Sequence, residues 1–128
     1  MDPIANLLVQ LSNSQAVHKD KIIVPGSKLK EAIFRIIKKH GYVGDVKPIL
    51  KNNKKYLQVS LLYHGKDPAI TKLKKISTPG RRIYKSWKDI PRSMGGYGMI
   101  VVSSSQGLLT DQEARKKRIG GELICEVY

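Results

Sequence analysis

Nearly all of the surplus positive charge in this chain is confined to two blocks, and no compact fold buries blocks of that kind. From Lys19 to Lys55 eleven basic residues stand against three acidic ones, and from Thr71 to Arg92 eight basic residues stand against Asp89 alone. The segments before, between and after them are close to neutral. Both blocks must therefore line the surface, and the apolar residues threaded through them must turn inward. The total is +14 over 128 residues, far beyond what solubility asks of a domain this size. A polyanionic partner is expected.

A hydrophobic share of 41% is enough for a core, and the length fits one domain or two small ones. Cys125 is the sole cysteine, so the chain forms no internal disulfide framework and no four-cysteine zinc module, which suits a reducing compartment. The apolar runs are too short to span a bilayer, and Asp2 and Pro3 stand where a signal peptide would begin with Lys or Arg. A soluble, non-secreted protein with no membrane partner is expected.

Asp2 as N-cap and Pro3 as first helical residue predict a helix from Pro3 to Ala16, with Ile4, Leu7, Leu8 and Leu11 along one face. Ile22 to Val24 read as a strand closed by Pro25-Gly26. Ser27 then caps a second helix with Leu29, Ile33, Ile36 and Ile37 as its buried stripe, its lysines on other faces, and Gly41 as its stop. Residues 43–50 and 55–63 predict a hairpin around Lys51-Asn52-Asn53-Lys54. His64 to Pro68 interrupt the pattern, dividing an N-terminal α/β subdomain (1–66) from a C-terminal mixed β/α subdomain (67–128).

In the second part, Ala69–Ser77 reads as a strand ended by Thr78-Pro79-Gly80, and Met99–Ser105 as a buried strand entered through a flexible Gly95-Gly96-Tyr97-Gly98 stretch. Thr110 and Glu113 form a capping box opening a short helix that Gly120-Gly121 closes. The last strand, Glu122 to Val127, is expected to set Leu123, Cys125 and Val127 on one face. The fold class is α/β of the α+β kind, with short mixed sheets and three main helices.

Catalytic signals are missing. His18, His40 and His64 lack the spacing of a metal site, the glycine stretch lacks both GxGxxG and GK[ST], and no carboxylates cluster. No enzyme, metal, cofactor or small-molecule substrate is expected. Two polar stretches stand out instead. Ser103-Ser104-Ser105-Gln106-Gly107 reads either as a turn capping its own backbone or as a short-reach hydrogen-bonding edge able to approach 2′-hydroxyls, phosphates and base edges. Arg81, Arg82 and Lys85 surround Tyr84 and Trp87 just after a rigid Pro79-Gly80 turn, an arrangement for phosphate contact with ring stacking. Trp87 equally suits a role as anchor to the core.

The ordered motifs Asp2-Pro3-Ile4-Ala5, Ser27-Lys28-Leu29-Lys30, Ile76-Ser77-x-Pro79-Gly80-x-Arg82-Ile83-Tyr84, Val101-Val102-Ser103-x-Ser105-x-Gly107, Thr110-Asp111-x-x-Ala114-Arg115 and Gly120-Gly121-Glu122-x-Ile124-Cys125 cover nearly the whole chain. Together they resemble the family of the eighth protein of the small ribosomal subunit, in its bacterial form. The resemblance implies two small α/β subdomains packed together, and direct binding to the central domain of 16S-type ribosomal RNA early in assembly. It also implies neighbouring small-subunit ribosomal proteins as partners, a cytoplasmic location in a bacterial ribosome with an organellar one as the alternative, and repression of translation from the messenger of its own operon. The RNA-contacting positions it implies are Ser103, Ser104, Ser105, Gly107 and Glu122, with Tyr84, Lys85, Pro3, Ile4 and Lys30. Gln106 stands where the family often has Lys, Arg81 or Arg82 where Leu is common, and Ser12 where Arg is usual. The rival reading is a general nucleic-acid-binding or nucleoid protein, which would use the same cations without the serine edge.

Overall fold

A computed structural model describes the backbone of residues 3–128 and the side chains other than those of residues 3–6 and 8, so the Asp2 cap and the Ile4 and Leu8 positions lie outside the described residues. The first helix, α1 (Pro3–Ala16), has the expected bounds. Leu7 and Leu11 are buried, and Ser14 carries the stripe one turn further. The chain forms two compact units, residues 6–71 and residues 72–128 together with residues 3–5.

In the first unit, β1 (Lys21–Pro25), β2 (Val43–Lys51) and β3 (Lys54–Leu61) make an antiparallel sheet in the order β1-β3-β2. Only Ile22 and Val24 of β1 are buried, as a period of two requires. Pairing sets Val59 between Ile22 and Val46, so one apolar face runs across all three strands. Asn52 (φ 52°) and Asn53 (φ 62°) make the turn between β2 and β3, both in the left-handed region that a two-residue I′ hairpin loop demands.

The second helix, α2 (Lys28–Lys39), is capped by the Ser27 hydroxyl, which accepts the Lys30 amide at 3.1 Å. Its buried residues are Ile33, Phe34 and Ile37. The expected stripe is thus corrected: Phe34 joins it, while Leu29 is 44% exposed and Ile36 half-buried. At 100° per residue the observed arc centres between residues 33, 34 and 37, and Leu29 lies roughly 90° from that centre.

Two-residue strands β4 (Tyr63–His64) and β5 (Asp67–Pro68) pair with each other, and the Ala69 amide donates to the Leu62 carbonyl at 2.9 Å. Residues 67–71, assigned to the second half from the sequence, therefore fold back on the first unit. The strand expected over 69–77 contracts to β6 (Leu73–Lys75).

The second unit is organised around β10 (Gly121–Val127). On one side it pairs with β8 (Met99–Ser104), which pairs in turn with β9 (Gly107–Thr110). On its other side lie β6 and the two-residue β7 (Tyr84–Lys85). A bulge at Ile124 shifts the register so that Leu123 lies opposite Val102 while Cys125 lies opposite Val101. Leu123 joins a cluster with Ile90, Ile100, Val102, Leu109 and Ala114, whereas Cys125 and Val127 take the other face. The expectation of a single face for Leu123, Cys125 and Val127 is corrected by that one extra residue.

Helix α3 (Asp111–Lys117) opens on the anticipated capping box, with the Glu113 amide 3.1 Å from Thr110 Oγ1. It does not end at the glycine pair. Arg118 adopts φ 57° and the Ile119 amide donates to the Ala114 carbonyl at 2.9 Å, a Schellman-type stop built on arginine. The glycines are thereby released for another task. Ser93–Gly96 form a tight turn before β8, with Met94 (φ 48°) and Gly95 (φ 65°) in the left-handed region.

Candidate nucleic-acid interface

The task of Gly120 and Gly121 is close approach. A Cβ on Gly121 would overlap the Ser103 carbonyl oxygen, and one on Gly120 would stand 2.5 Å from the Lys85 carbonyl oxygen and 2.9 Å from Ser86 Cα. Bare backbone here lets the end of β10 draw the basic turn and the serine hairpin together. Glu122 pairs with Tyr84 on one side and with Ser103 on the other. Directly opposed residues of antiparallel strands share a face, so Ser103, Glu122 and Tyr84 form one row, about 10 Å long at two strand spacings.

Each member of the row is set up differently. Glu122 Oε2 accepts from Arg82 Nη1 at 3.2 Å, which brings a guanidinium to the same face. The Tyr84 ring is 67% exposed. Among the described residues, the Ser103 and Ser105 hydroxyls have no protein partner, whereas Ser104 is consumed by its own turn: Oγ donates to the Gly107 carbonyl at 2.8 Å and accepts the Gln106 amide at 3.1 Å. Gly107, at φ 98°, holds a conformation closed to other residues without strain. The two readings of the serine stretch thus divide it, with Ser104 structural and Ser103 and Ser105 available.

The basic turn is tied at its base. Thr78 and Arg81 exchange backbone hydrogen bonds of 3.0 Å across Pro79-Gly80, and the buried Ser77 hydroxyl accepts the Ile83 amide at 3.0 Å. Arg81, Arg82 and Lys85 are exposed, and only Arg82 has a carboxylate partner among the described residues. Lys85 lies opposite Gly121 and so leaves from the face opposite to Tyr84. The row and Arg82 share one face, while Lys85 flanks it from behind.

Trp87 packs between two cations. Lys88 Nζ and Arg118 Cζ each lie 5.6 Å from its ring centroid, and the ring is half-buried. Lys30 belongs to the other unit, its Nζ 3.4 Å from the Pro25 carbonyl oxygen. The side chains of Pro3 and Ile4 lie outside the described residues. Burial pushes the Cys125 thiol up to about 12, so it stays a neutral core group. No cluster of metal-ligating side chains occurs among the described residues.

Sequence reasoning missed Asp111. Its buried carboxylate accepts the Ile100 amide at 3.1 Å through Oδ1 and pairs with Arg115 at 2.7 Å through Oδ2, fastening α3 to β8 behind the serine hairpin. The signal was present, since an acid just inside the Thr110 cap with an arginine four residues on is a helical ion-pair spacing.

Three helices on short antiparallel sheets, with an edge of free hydroxyls, an open ring and guanidinium groups, define a small basic α+β protein with a surface suited to an anionic partner. The chain belongs to the ribosomal protein S8 family, whose model matches residues 2–128. It is similar to the small ribosomal subunit protein uS8 of Dictyoglomus turgidum, 44% identical over 99% of this chain and 97% of that protein. The protein of the same name from Natranaerobius thermophilus is 44% identical with the same coverage, and that of Cupriavidus metallidurans 41% identical over 98% of this chain and 96% of its own length. Membership makes it a structural, non-enzymatic protein of the translation machinery in the cytoplasm. No helix among the described residues is long and apolar enough to cross a membrane.

Proposed function

We propose that the unit 72–128 binds folded ribosomal RNA of the small subunit directly and supports assembly of that subunit. The observation that carries this reading is the Ser103–Glu122–Tyr84 row, with free hydroxyls at one end and an open ring at the other. Arg81, Arg82 and Lys85 supply sequence-independent attraction to phosphates, while Ser103 and Ser105 hydrogen-bond 2′-hydroxyls, phosphate oxygens or base edges at short range. Gly107 leaves room for that approach. Glu122 accepts from a 2′-hydroxyl or an exocyclic amine with its carboxylate oriented by Arg82, and Tyr84 stacks on an unpaired base or ribose. Lys30 and, separately, Pro3 and Ile4 are further contacts on the strength of the family resemblance.

The target that the resemblance supports is a helical element of the central domain of 16S-type RNA, with neighbouring small-subunit proteins alongside. A similar hairpin in the messenger of the protein's own operon is a second target, whose occupation represses translation. Competition of a central-domain RNA fragment, the operon hairpin and random duplex DNA for the purified protein tests these assignments. The ribosomal fragment is expected to outcompete duplex DNA at least ~1,000-fold. Equal competition would replace this reading with that of a general nucleic-acid binder, and an inert hairpin would remove the repressor role alone.

A further inference from the structure

In the unit 6–71 the apolar face of the sheet outruns the helix beside it. The pleat puts Pro48 and Leu50 of β2 on the face of Val46, and Lys55 and Leu57 of β3 on the face of Val59. Leu57 is buried, but Leu50 is 70% exposed and Pro48 is exposed as well, so the core surface continues uncovered toward the hairpin tip. Between this overhang and the first turn of α2 opens a groove of about 720 Å³, with Ser27 and Lys28 on its helical side.

The rim of that groove is cationic. Lys28 and Lys55 line it, Lys51 and Lys54 flank the turn, and all four are exposed with no carboxylate partner among the described residues. The one acid in the lining, Glu31, is held by Arg35 at 2.7 Å. The positive end of α2 adds to the same field.

We propose that this groove docks an acidic segment of a neighbouring protein, which inserts aliphatic side chains over Leu50 and Leu57 and sets carboxylates against Lys28 and Lys55. RNA suits it poorly: phosphates would satisfy the lysines yet leave the aliphatic floor bare, and the lining offers no ring as open as Tyr84 for a base to stack on. A peptide with apolar residues between acids covers both. The inference rests on family membership alone and is independent of the RNA-reading row.

The test is photo-cross-linking in assembled small subunits, with a benzophenone side chain at position 50 and, in a second series, at the exposed position 29. Sedimentation reports incorporation, and mass spectrometry identifies the attached fragment. The expected product is a protein segment whose attachment site is flanked by carboxylates, with Lys28→Glu plus Lys55→Glu lowering the yield about tenfold. Gln112→Ala, on the exposed side of α3, should leave that yield unchanged. Attachment to RNA, attachment to a segment without carboxylates, or no product in particles that contain the protein would each overturn the proposal. Failure of the RNA reading would appear elsewhere, as unselective binding of nucleic acids with the cross-link intact.

Discussion

The two basic blocks carry nearly equal surpluses, yet they sit among different neighbours. Block 71–92 holds its arginines on a turn stapled by Ser77 and Thr78, beside an open tyrosine and free hydroxyls. Block 19–55 spreads its lysines around a helix start and a hairpin tip whose intervening surface is aliphatic. Charge alone announces an anion. The groups between the charges decide which one, since hydroxyls and rings match nucleotides whereas leucine and proline match other apolar side chains.

The contrast breaks most sharply at the glycine pair. Gly121→Ala should cost about 3 kcal/mol of stability in denaturant titration, because the new methyl meets Ser103 backbone that cannot step aside. RNA binding should fall with it while the position-50 cross-link survives, and a neutral Gly121→Ala would show that the row does not depend on close approach. Next comes Tyr84→Ala, expected to weaken RNA binding by roughly 1–3 kcal/mol with no change in melting temperature. Tyr84→Phe should bind as the parent does, and loss in both variants would point to the hydroxyl instead of the ring.

A smaller effect separates recognition from attraction. Ser105→Ala should lose about 1 kcal/mol toward ribosomal RNA and nothing toward duplex DNA, whereas Lys85→Ala should weaken both alike. Identical losses in filter binding would end that division of labour. Smallest of all, Lys55→Glu should move RNA affinity by under about 0.5 kcal/mol. With about five phosphates neutralised, the log–log salt slope should stay near −3.5 in both parent and variant. A slope that flattens on Lys55→Glu would assign the lysines of the groove to RNA as well.

Features legible in the sequence were those whose partners lie within four residues. Ser27 over Lys30, Thr110 with Glu113, and the paired asparagines at 52 and 53 each declare a local hydrogen bond or backbone angle that the residue type itself imposes. What escaped was non-local. The Arg82–Glu122 pair joins residues forty apart, Arg118 reaches Trp87 only through an uncommon left-handed turn, and Asp67-Pro68, read as part of a break, fold back in a strand pair on Tyr63-His64. The cationic stretch and the serines were visible as candidates. Their meeting on one row depends on two glycines whose purpose only the neighbouring strands reveal.

Ile124 has a consequence for how this chain tolerates change. One additional residue reverses the phase of β10, so a strand that ends among core valines begins by offering a carboxylate to an arginine at the rim. Deleting it would set Leu123 directly before Cys125 in an unbroken ladder, with Leu123 still opposite Val102 and Glu122 still opposite Ser103, whereas losing a paired residue such as Glu126 would exchange inside for outside along the rest of the strand. At the bulge a lost codon is a small edit; one position away it is a topological one.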